Sequence, residues 1–72
     1  GLGSRHNVSH WGCGVQALRG AILSAQLNVI INVGLMKDKE YAKALDEKCE
    51  ALVKEGVEIC DVVYNKVIAA MR

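Results

Sequence analysis

The stretch "NVSHWGCG", residues 7–14, gathers side chains able to do chemistry beside two glycines, just ahead of a long apolar run. With His6 immediately upstream, His6, His10 and Cys13 fall at i, i+4 and i+7. On a helix these positions share a face, as three metal ligands would require. Against a metal stand the absence of an obvious fourth ligand and the expectation that His6 precedes the helix. A structural reading makes Ser9 or Asn7 the N-cap, lets Trp11 fill a gap, and puts Cys13 in the core. A third reading takes Ser9 and His10 as a site at a helix start. There, free N–H groups attract an anionic or electron-rich ligand and the helix dipole favours a neutral imidazole. Arg5 and His6 would assist in binding.

Those residues need elements to hold them. The chain has 72 residues, half apolar and a quarter charged, with no Phe and no Pro. This composition predicts a single globular all-α unit. A net charge of +1, with Lys and Arg spread singly, argues against a nucleic-acid surface or an anionic membrane surface. Three widely spaced cysteines, Cys13, Cys49 and Cys60, form no disulfide framework and suit a reducing, cytoplasmic setting. Residues 20–36, "GAILSAQLNVIINVGLM", carry no charge but include Gln26, Asn28 and Asn32 and fall short of a membrane span of about 20 residues. Burial inside protein is the expected meaning.

A first helix is expected from roughly Ser9 to Leu27, dense in Gly and Ala. Each interior glycine costs about 1 kcal/mol of helix propensity relative to alanine, so a close neighbour must compensate. Arg19 is the one charged residue there, which predicts burial nearly all round. Val29 to Val33 is β-branched and flanked by Asn28 and Asn32, with Gly34 following, and is read as a corner. The buried amides would pair with helix-end carbonyls or with a ligand. From about Lys37 a second helix of some thirty residues is expected, with Asp38 as its cap or its first residue. Its apolar stripe runs through Tyr41, Leu45, Cys49, Leu52, Gly56, Ile59, Val63, Val67 and Met71. Glu50, Lys54 and Glu58 space themselves at i, i+4 on the polar face.

Residues 20–45, "GAILSAQLNVIINVGLMKDKEYAKAL", resemble the C-terminal part of the formiminotransferase-cyclodeaminase family, which includes the methenyltetrahydrofolate cyclohydrolases. The shared features are Ser24-Ala25, the Asn-Val-x-Ile-Asn signature at Asn28, Val29, Ile31 and Asn32, and the acidic helix start at Asp38. The family also carries a Ser-Asp pair nineteen residues before the first Asn, and Ser9 holds that register here. The resemblance extends over about residues 5–72. His10 stands where the family has aspartate.

The resemblance implies a helical bundle of which residues 1–72 are the C-terminal part. The remaining helices would come from a second polypeptide, a homo-oligomeric copy, or both. It implies a cytoplasmic enzyme acting on a tetrahydrofolate derivative, with no metal required. Such an enzyme closes 5-formiminotetrahydrofolate to 5,10-methenyltetrahydrofolate with loss of ammonia, or opens the methenyl ring with water. Carried onto this sequence, His10 is the catalytic acid/base, and Ser9, Asn28, Asn32, Arg5 and His6 bind substrate. An imidazole at residue 10 suits proton transfer near neutral pH. A folate-type small molecule is the expected ligand. The competing function is a non-catalytic helical module that completes a partner's bundle.

Overall fold

A computed structural model describes residues 5–72. Two helices, α1 (Arg5–Leu35) and α2 (Lys39–Met71), make up an all-α hairpin with extents of 55 × 15 × 14 Å. The expected corner at Asn28–Gly34 does not exist: α1 continues through it and ends at Leu35. Each β-branched or asparagine residue costs a helix only tenths of a kcal/mol, and no proline interrupts the hydrogen-bond ladder. Val29 and Val33 also sit partly buried against α2, so packing overrides local propensity.

The turn lies at residues 36–38 instead. Met36 N–H donates to the Val33 carbonyl at 3.2 Å, tightening the end of α1. Lys39 Nζ reaches back to the Gly34 carbonyl at 3.4 Å, placing a cation beside the negative end of the α1 dipole. Asp38 is the N-cap of α2 as its sequence position indicates. Its backbone is extended (φ −79°, ψ 98°), and Oδ1 accepts from the Tyr41 N–H at 3.0 Å. That bond satisfies one of the donors that a helix start leaves open. Asp38→Ala is therefore expected to destabilise the hairpin by about 1 kcal/mol, measured by denaturant or thermal unfolding.

The face of α1 turned to α2 follows a strict alternation of three and four residues: Val8, Gly12, Val15, Arg19, Ile22, Gln26, Val29 and Val33. This 3.5-residue repeat is the spacing with which two helices keep one seam in contact. On α2, Ala42, Cys49, Val53, Gly56, Cys60, Tyr64 and Val67 face back. Ala42, Cys60 and Val67 are the buried side chains. Gly12 is buried because a Cβ there would lie 3.0 Å from Val67 Cγ1, so the bare backbone lets the helices close. Gly20, by contrast, has nothing within 4 Å of such a Cβ.

Gly20→Ala in the isolated chain is expected to gain about 1 kcal/mol of helix propensity. At Gly12 the same gain is offset by overpacking that typically costs about 1–3 kcal/mol. Thermal melts should therefore place Gly20→Ala above the unsubstituted chain and Gly12→Ala at or below it.

Two expectations about burial are corrected. The α2 stripe overlaps the observed seam at Leu45, Cys49, Gly56, Val67 and Met71, but Tyr41, Leu52, Ile59 and Val63 are exposed. The helix is apolar over two adjacent faces, and α1 covers one. Nor is α1 enclosed: Trp11 is 70% exposed, Cys13 is exposed, and Leu18, Leu27, Ile31 and Leu35 face outward. One neighbouring helix covers only one stripe, so the second apolar face of α1 has no cover among the described residues. By length and composition α1 is apolar enough to cross a membrane.

Candidate functional site

The first two turns of α1 carry Arg5, His6, Ser9 and His10 together. The helix begins at Arg5, so His6 lies on it, which corrects the expectation that His6 precedes the helix. Consequently Ser9 is not an N-cap, and neither is Asn7. Ser9 Oγ instead donates to the His6 carbonyl at 2.7 Å, a backward bond to the preceding turn. Its oxygen retains lone pairs able to accept from a ligand.

The i, i+4 spacing brings His6 Nε2 and His10 Nε2 to 3.1 Å, with ring centroids 4.6 Å apart and planes at 87°. At this separation one ring donates its Nε2–H and the other accepts, so the pair holds a proton between two bases. Both rings are exposed. Cys13 lies one turn further on, but among the described residues no group of three or more His, Cys, Asp or Glu is placed to hold a metal ion.

Ser9 also borders a groove of about 300 Å³ that runs between the helices. Gly12, Cys13 and Gln16 line it from α1, and Tyr64, Ile68 and Met71 from α2. The hairpin thus supplies a mostly apolar wall beside a hydroxyl, within one turn of the His6–His10 pair. Sequence reading assigned the far end of α2 no part in a site. It turns up here because antiparallel return of a helix of nearly equal length brings that end back beside the start of α1.

Asn28 and Asn32 are elsewhere. Both lie inside α1, one turn apart and exposed, and neither side chain makes a hydrogen bond among the described residues. Buried amides at a corner are therefore not what the structure contains. At 1.5 Å per residue, the eighteen residues from His10 to Asn28 place them about 27 Å apart along a continuous helix. Within one chain they cannot touch the same reacting group as His10.

One contact escaped the sequence reading. Arg19 Nε donates to Asp61 Oδ1 at 2.9 Å across the hairpin. The arginine occupies a seam position, and its phase with Gly12, Ile22 and Gln26 was the available signal that it needed an acidic partner on α2. The pair sits near the middle of the hairpin and is half-exposed, so its role is to fix the register of the two helices more than to add stability.

A family model described as formiminotransferase-cyclodeaminase matches residues 1–51. The matched segment contains Arg5, His6, Ser9, His10, Asn28 and Asn32, the whole of α1 and the first third of α2. No curated protein and no solved structure matches the chain.

Proposed function

Since the chain belongs to the formiminotransferase-cyclodeaminase family, whose enzymes are associated with folate-linked one-carbon chemistry, we propose that it is part of such an enzyme. The substrate is a tetrahydrofolate derivative, and the reaction is ring closure with loss of ammonia or hydrolysis of the methenyl bridge. The observation that carries this reading is the match over residues 1–51, which takes in both the Ser9–His10 step and the Asn28/Asn32 pair.

In this account His10 moves the proton. Ring closure joins N10 of the folate to the formimino carbon and expels its nitrogen as ammonia, so a proton must leave N10 and another must reach the departing nitrogen. An imidazole on an exposed face can do both in turn, and the His6 ring, 3.1 Å away, holds it in orientation. In hydrolysis the same ring would take the proton from the attacking water. Ser9 offers a hydroxyl to a polar edge of the substrate, and Arg5 and His6 offer donors to anionic groups. Asn28 and Asn32 present amide donors and acceptors with no partner among the described residues, as ligand-binding amides would.

The separation of about 27 Å along α1 then has a direct consequence. A site using both clusters is assembled between polypeptides, either two copies of this chain or this chain and a second one. The uncovered apolar faces of both helices support association of that kind. On this reading the apolarity of α1 serves helix packing, and the protein is cytoplasmic.

The same exposed faces favour a second reading, a non-catalytic helical module that completes a partner's bundle. Turnover of 5-formimino- and 5,10-methenyltetrahydrofolate by the purified chain and whatever copurifies with it separates the two. A module predicts a stable complex without turnover.

A further inference from the structure

We propose that His6 and His10 form a two-point chelate for a divalent transition-metal ion of the nickel, copper and zinc series. The separation is already that of a chelate: their Nε2 atoms stand 3.1 Å apart, and rotation of the donating ring about its side-chain torsions turns both lone pairs toward one ion. With metal–nitrogen bonds of about 2.0–2.1 Å, two cis ligands lie about 2.9 Å apart at a right angle and about 3.4 Å apart at a tetrahedral angle. The observed spacing falls between these limits. Imidazole is the ligand type this series shares.

The helix enforces the geometry. α1 begins at Arg5, so both histidines sit on formed turns, and the i, i+4 relation fixes how their rings approach. Both are exposed, so an ion keeps water in its remaining positions and loses little hydration on binding. In the metal-free pair one ring donates Nε2–H to the other. Chelation needs both Nε2 lone pairs, and the donating ring meets this by carrying its proton on Nδ1 instead. No net proton is released when both rings are neutral. Among the described residues no third ligand completes the set, so the ion is held at two points and exchanges freely. A bound ion would occupy the His10 lone pair that proton transfer uses, so metal and turnover compete at this ring, while titration of the metal alone reads chelation without reference to turnover.

The test is calorimetric titration of the full 72-residue chain with Ni²⁺, which thiols do not reduce. One ion should bind per chain, with Mn²⁺ far weaker, following the affinity order of nitrogen sites. His6→Ala and His10→Ala should each weaken binding about a hundredfold, the scale on which a two-point contact exceeds a one-point contact. Cys13→Ala should leave affinity unchanged. All three positions are exposed, so the variants keep the hairpin, which the circular dichroism of each confirms. No binding of Ni²⁺, equal binding by the histidine variants, or loss of binding in Cys13→Ala would overturn the proposal.

Discussion

His10→Ala lowers turnover of the folate-linked substrate by about 10²- to 10⁴-fold, the usual contribution of a positioned acid/base group. The loss should appear in kcat with little change in KM, since the ring is assigned to proton transfer and not to holding the substrate. Stability provides the control. His10 is exposed and faces away from α2, and alanine is the better helix former, so the variant should melt no lower than the parent chain. A helix content equal to the parent's, together with lost turnover, assigns the effect to chemistry. His6→Ala removes the ring that orients His10 without removing the base, and a smaller loss is expected from it.

The second large effect concerns the asparagines. Each amide hydrogen bond to a ligand is worth about 0.5–1.5 kcal/mol, so Asn28→Ala and Asn32→Ala together should cut kcat/KM by about 5- to 150-fold. The informative experiment mixes two crippled chains, one carrying His10→Ala and the other both asparagine substitutions. Along a straight helix the two clusters stay about 27 Å apart, so neither chain alone can repair itself. If two copies share their sites about a two-fold axis, random reassortment puts one intact site in half of the dimers. Activity then returns to about a quarter of the parent level. If mixing restores nothing, a second copy of this chain does not supply the complementary cluster. The partner is then a different polypeptide, and mass analysis of the copurifying material identifies it.

Part of this was legible in the sequence. Asp38 announced the second helix because a capping carboxylate ahead of an amphipathic run has few other meanings, and the structure shows that bond to Tyr41 N–H. The all-α class followed from the long stripe of α2 and the absence of proline. The Asn-Val-x-Ile-Asn signature with Ser9 nineteen residues upstream pointed to the family whose model covers residues 1–51.

Other features were illegible for physical reasons. Residues 29–33 looked like a corner because β-branched side chains weaken helices, yet the penalty per residue is small and contact with α2 exceeds it. That reading set Asn28 and Asn32 as buried amides at the end of the first helix; a continuous α1 leaves them exposed on its surface instead. Trp11 and Cys13 were assigned to the core by residue type alone. Burial, however, depends on what covers a face, and a pattern within one chain does not reveal how many neighbours cover it. Arg19 shows the opposite case. Its seam phase was present in the sequence, but its partner Asp61 lies 42 positions away, joined to it only by the return of the hairpin.

The most direct test of the account is turnover by the native material. The chain is purified with whatever accompanies it and incubated separately with 5-formiminotetrahydrofolate and 5,10-methenyltetrahydrofolate, while substrate loss and ammonia release are followed. The account predicts that one of the two is consumed and that His10→Ala abolishes the consumption while leaving the helices intact. Consumption of neither substrate, or equal rates for the parent and His10→Ala, would contradict it.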